Sequence, residues 1–171
     1  MIKKRRLVLL ADGPDEAPEA APTVEQLRSV AVGALARRDY SRAEMRRKLL
    51  VAGADEVGVD SILDDLEQER LLSDRRFAEN IVRARGARFG SRRVAGDLRA
   101  KGVADGAEDL IAGLKADDLA HAQAAWERKF GAAPANQADE ARQMRFLLGR
   151  GFPFDVIRRV VPRAARAGTG G

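Results

Sequence analysis

The chain has 171 residues, 45% hydrophobic and 33% charged, enough apolar mass for one sizeable core or several small ones and too much for a disordered polyelectrolyte. Thirty-one Lys and Arg against 26 Asp and Glu leave a formal charge of +5, and only six of the cations are Lys. The absence of Cys excludes disulfides, thiolate metal sites and cysteine nucleophiles, and the single His121 excludes any site that needs two imidazoles.

At the start, Lys3-Lys4-Arg5-Arg6 followed by Leu7-Val8-Leu9-Leu10-Ala11 mimics a signal peptide. The apolar run is only five residues and meets Asp12-Gly13-Pro14-Asp15, which argues against secretion. No apolar run approaches the roughly 20 residues that span a bilayer, so no membrane association is expected. With no Cys the chain suits a reducing cytoplasm. Residues 12–22 hold three Pro and four acids and can build no apolar face, so residues 1–22 are expected to form a flexible arm. The Gly-rich end, 167–171, reads as a disordered tail.

Between these limits the pattern is helical: Ala, Leu, Arg and Glu dominate, and nothing alternates long enough for a strand. Thr23-Val24-Glu25-Gln26 is a capping box that opens a helix over 24–37, with Leu27, Ala31 and Ala34 in its apolar stripe. Ser41-Arg42-Ala43-Glu44 has the same form and opens a helix carrying Met45 and Leu49 to a stop at Gly53. Ile62, Leu63 and Leu66 mark a third helix near 56–70. Ser73 caps a fourth over 74–88, with Phe77, Ala78, Ile81 and Val82 on its buried side.

An internal repeat then emerges. Tyr40 is followed by Met45, Leu49 and Gly53, and Phe89 by Val94, Leu98 and Gly102, at identical offsets; Leu147 and Gly151 keep the register, although Gln143 stands where an apolar residue is due. Gly53, Gly102 and Gly151 are spaced by 49 and 49. Each is followed by an apolar helix, and each block is preceded by a longer one, the last expected over 118–130. The expectation is an all-α fold of three tandem three-helix repeats, at 23–70, 71–116 and 117–166, forming an elongated curved stack that needs no partner to fold, hence a monomer. Such short helices are marginal alone and must pack on their neighbours.

Charge is segregated. Residues 75–101 balance at +7 and residues 54–70 at −6. On the helix over 90–101, Val94 and Leu98 share one side, while Arg92 and Arg99 lie opposite and point outward. Any single Arg here is more simply a solvated or salt-bridged side chain, and Arg75 and Arg83 each have Glu79 at helical pairing distance. The cluster as a whole reads as a binding surface for a polyanion or an acidic protein.

No phosphate-binding loop and no dinucleotide fingerprint occurs. The neighbouring acids Asp64-Asp65 and Asp117-Asp118 diverge by about 100° on a helix and read as solvated charge rather than as a catalytic or metal pair. Trp126 and Phe130 read as core packing. Neither catalysis nor a cofactor is expected.

The stretch from Ala34 to Leu49, ALARRDYSRAEMRRKL, resembles the opening motif of the RecX family, regulators of the RecA recombinase. More specific are Leu71-Leu72-Ser73-Asp74-Arg75-Arg76-Phe77-Ala78, then Gly86, Gly90 and Leu98-Arg99-Ala100-Lys101-Gly102-Val103; Phe146-Leu147-Leu148-Gly149-Arg150-Gly151-Phe152 is familial too. The resemblance covers roughly residues 27–162, with Gln143 and Gly149 as departures. It implies three tandem three-helix repeats and no active site. It also implies binding to the RecA–DNA filament, with damping of ATP hydrolysis, strand exchange and repressor co-cleavage. Contacts are expected at Arg46, Arg47, Arg76, Arg88, Arg92, Arg93 and Arg99, with Tyr40 and Phe89 as structural anchors. The alternative is a stand-alone nucleic-acid-binding protein whose units resemble helix-turn-helix modules and whose Arg-rich helices contact single- or double-stranded DNA.

Overall fold

The computed structural model describes residues 21–103 and 105–164; the expected arm up to residue 20 and the tail over 167–171 lie outside the described residues. Among the described residues there are eight helices and no strand: α1 (Val24–Leu35), α2 (Arg42–Val51), α3 (Glu56–Gln68), α4 (Asp74–Arg85), α5 (Ser91–Ala100), α6 (Glu108–Lys129), α7 (Gln137–Gly149) and α8 (Phe154–Val160). The all-α repeat reading holds.

Local chemistry sets most of the boundaries. Thr23 makes both halves of its capping box, accepting from the Gln26 N–H while its own N–H donates to the Gln26 Oε1. Ser41 makes only one half: it accepts from the Glu44 N–H, but the Glu44 carboxylate is drawn away to Arg38 and Lys101. α1 stops two residues short of the expected 37, and α4 stops at Arg85 rather than 88. Gly53, Gly102 and Gly151, the repeated stops, have φ of +96°, +80° and +83°, the left-handed geometry that a side chain resists.

Three units of three helices would give nine. Eight are found because the third helix of the second unit and the first helix of the third are one 22-residue rod, α6. Lys115-Ala116-Asp117-Asp118 holds no Gly or Pro to break it, so the expected boundary at 116/117 falls inside a continuous helix. The cores nonetheless remain three. Leu27, Ala31, Met45, Leu49, Leu63, Leu66 and Leu72 form the first. Phe77, Val94, Leu98, Val103 and Leu114 form the second. Ala122, Trp126, Leu147, Phe152 and Ile157 form the third. α6 therefore serves two cores, Leu114 on one half and Ala122 and Trp126 on the other. Ile81 and Val82 are only half-buried, packed at the margin of the second core.

Gln143 occupies its apolar register position fully buried, and its Oε1 accepts a 2.7 Å hydrogen bond from Trp126 Nε1. The polar residue is there because the indole N–H beneath it needs an acceptor.

The units are joined by a repeated device. The Arg42 N–H, at the start of α2, donates to the Asp74 carboxylate of α4 (2.6 Å), and the Ser91 N–H, at the start of α5, donates to the Asp118 carboxylate of α6 (2.9 Å). Arg42 and Ser91 are 49 positions apart. In both joints the first helix of the following unit supplies an acid that caps the second helix of the preceding one, where the helix dipole favours negative charge. Asp118 is 1% exposed and also accepts from the Ser91 hydroxyl at 2.5 Å, so it is a structural cap and not the solvated charge expected of it; only Asp117 is exposed.

Candidate interaction surface

The cations of the chain fall into two sets. The first is spent inside the molecule. Arg46 binds Glu56 and Asp60, and Arg42 binds Asp64 and Glu67 at 2.7 Å each, so the basic α2 lies against the acidic α3. Arg76 binds Asp39 at 2.7 Å and donates to the carbonyls of Arg70 and Leu71 across the turn between the first two units. Arg75 takes both Glu79 and Asp109, leaving Arg83 without the pairing its spacing suggested. Arg85 binds Asp97. Lys101 and Arg38 converge on Glu44; burial alone would push that carboxyl up, but the hydrogen bonds and attraction of the two cations outweigh it and hold it below the ordinary carboxylate range.

The second set has no carboxylate within ion-pair distance among the described residues, and it contains Arg47, Arg88, Arg92, Arg93 and Arg99, all exposed. Of the seven cations singled out by direction and charge, Arg46 and Arg76 are thus held by acids, while the other five are uncompensated. Sequence position alone could not separate them, because the acids that hold Arg46 and Arg76 come from elements 10 to 37 residues away.

The five do not form one stripe. Arg93 and Arg88 sit at the joint between the second and third units: Arg93 donates to the Gly149 carbonyl and lies over the Phe89 ring at 5.0 Å, and Arg150 donates to the Arg88 carbonyl. Phe89 is an anchor here, with Arg85 on it as well, as Tyr40 is in the first unit beneath Arg38 at 3.6 Å. Arg92 and Arg99, seven residues apart on α5, face another way, along the seam between α5 and α6. Arg99 lines a depression there with Lys115 of α6, and Arg92 lines the adjoining one, again with Lys115. Sequence reasoning missed Lys115, an isolated cation among the acids of the first half of α6; only the packing of α6 on α5 brings it beside the two arginines. Arg47 stands apart on α2.

No group of three or more His, Asp or Glu that could hold a metal ion occurs among the described residues. His121 is half-buried on α6, its Nδ1 enclosed without a hydrogen-bond partner. No helix is long and apolar enough to cross a membrane among the described residues.

Tandem three-helix units with separate cores and repeated capping joints define an all-α helical-repeat protein that carries uncompensated arginines on more than one part of its surface. Family models for RecX match in the same places: the second three-helix domain over residues 73–107 and the third over 116–161. The regulatory protein RecX of Ralstonia nicotianae is 42% identical over 139 residues, spanning 81% of this chain and 87% of that protein; that of Chromobacterium violaceum is 42% identical over 142 residues, spanning 82% and 92%. The crystal structure of RecX from Lactobacillus salivarius shares the fold with a TM-score of 0.64 at 21% identity, over 80% of this chain and 93% of that one. The chain belongs to the RecX family of regulatory proteins, and its role is that of a regulator.

Proposed function

We propose that this protein binds the filament that the RecA recombinase forms on DNA, and that it damps ATP hydrolysis, strand exchange and repressor co-cleavage by that filament, acting as a cytoplasmic monomer. The observation that carries this reading is the pair Arg92 and Arg99 on α5, exposed and without an acid in a chain that neutralises Arg42, Arg46, Arg75, Arg76 and Arg85. Guanidiniums left without an internal acid are available to an external carboxylate or phosphate. Arg47, Arg88 and Arg93 extend the contact on other parts of the stack. Arg46 and Arg76, with side chains 34% and 43% exposed, remain partly open to a partner beside their internal pairs.

Contacts spread over the first two units act multivalently, so modest individual affinities suffice to hold the protein across more than one recombinase protomer. Bound in that way it obstructs incoming duplex and hinders the protomer rearrangement coupled to ATP turnover. The test is ATP hydrolysis by the cognate recombinase on single-stranded DNA, with this protein titrated in at moderate salt. The expected result is a saturable fall in rate; an unchanged rate at excess protein refutes the reading.

A further inference from the structure

The seam between α5 and α6 holds a depression of about 210 Å³, floored by Ala95, Leu98, Val103 and Ile111 and edged by Arg99 and Lys115. That volume is below the roughly 300 Å³ at which small-molecule pockets begin, and it suits one inserted side chain rather than a metabolite. The adjoining depression continues past Lys115 to Arg92. Seven helical residues separate Arg92 from Arg99, a rise of about 10 Å, and Lys115 faces the interval from the opposite wall. The seam is thus an aliphatic notch edged by Arg99 and Lys115, with the Arg92 guanidinium in the next depression along.

We propose that this seam is a docking site for an acidic segment of a protein, one apolar side chain flanked by two carboxylates about two helical turns apart. The inference rests on the regulator reading above and deepens it by naming the chemistry of the contact. Three features favour protein over nucleic acid. The floor is aliphatic and has no aromatic ring on which a base can stack. A phosphate backbone gains nothing from an apolar notch, whereas a Leu or Ile does. Glu108 at one end of the seam and Asp155 at the other interrupt the positive potential, which a continuous polyphosphate would meet as repulsion and a short acidic segment would clear.

The charge and the floor can be varied separately. Two probes are titrated against the full chain by fluorescence anisotropy: a labelled helical peptide with two Glu two turns apart and a Leu midway, and a labelled oligothymidylate of equal net charge. Arg92→Gln with Arg99→Gln should weaken the peptide about tenfold or more. Ile111→Gln, which leaves charge unchanged, should weaken the peptide by a similar factor and leave the oligothymidylate unaffected. Ala95→Gln, which fills the notch from the α5 side, should reproduce Ile111→Gln, and it replaces that variant if circular dichroism shows Ile111→Gln to be unfolded. Oligothymidylate binding that depends on the two arginines, with a peptide that does not bind or is indifferent to both floor variants, overturns the proposal in favour of a nucleic-acid contact. The same variants in the recombinase ATPase assay separate the two claims. If the wild type inhibits and both floor variants inhibit equally well, the seam proposal fails while the regulator reading stands. If the wild type does not inhibit, the regulator reading fails and peptide binding still decides the seam.

Discussion

The Ser41 hydroxyl donates a 2.6 Å hydrogen bond to the Lys101 carbonyl across 60 residues of chain. Forty-nine positions further on, the Gly90 N–H donates to the Arg150 carbonyl at 3.0 Å. The second helix of one unit thus begins against the turn that ends the second helix of the next, and the Asp74 and Asp118 caps close the same joints from the other side. The repeat periodicity is a periodicity of contacts between units as well as of apolar residues within them.

Asp118→Ala should destabilise the protein by about 2–3 kcal/mol, since it strips the buried Ser91 N–H and hydroxyl of their acceptor. Asp118→Asn keeps an acceptor and should cost less. Urea unfolding monitored by circular dichroism measures both, and equal costs would mean that the cap is not what Asp118 supplies.

Gly151→Ala should cost about 1–3 kcal/mol. Its φ is +83°, and an added Cβ would collide with the Cβ and backbone of Arg93 on α5. The damage falls on the joint between the second and third units, so calorimetry should show a broadened or split transition. Gly96→Ala, where a Cβ meets nothing within 4 Å, should be neutral or stabilising.

Gln143→Leu should destabilise by about 1–3 kcal/mol, because the Trp126 indole N–H is left buried without an acceptor. Adding Trp126→Phe removes the orphaned donor, so the double variant should be less unstable than the sum of the two single changes. Strict additivity in the double-mutant cycle would contradict the pairing.

Glu44 makes a pH prediction. Its carboxyl is depressed in the folded state, so its contribution to stability is fully present above the carboxyl's unfolded value and is lost as pH falls through the lower, folded one. Stability should therefore decline below roughly pH 4. Lys101→Met, which removes one of the two cations, should shrink that component of the decline. An acid-unfolding profile unchanged by Lys101→Met would contradict the assignment.

What the sequence disclosed and what it concealed divide along a physical line. Signals local in the chain were legible: the Thr23 box, the Ser73 cap and the glycines at 53, 102 and 151 act within a turn of their own position. Five of the seven cations, Arg76, Arg88, Arg92, Arg93 and Arg99, were legible as part of a charge excess for the same reason. Relations across units were not. Asp118 reads as solvated charge beside Asp117 because the α5 N-terminus that it caps lies 27 residues away. Arg46 and Arg92 read alike until α3 is folded against the one and no acid against the other. Lys115 gains significance only from the packing of α6. The fused α6 was legible in retrospect, because nothing between Lys115 and Asp118 breaks a helix; the expectation of three helices per unit overrode that local evidence.

The central claim is that uncompensated guanidiniums on α5 engage the recombinase filament. It is tested most directly by Arg92→Glu with Arg99→Glu in the recombinase ATPase assay on single-stranded DNA. Neither residue holds an internal acid, so circular dichroism should show unchanged helix content. The account predicts that the double variant leaves hydrolysis at the rate of the recombinase alone under conditions where the wild type suppresses it. Suppression by the folded variant as strong as that by the wild type would contradict it.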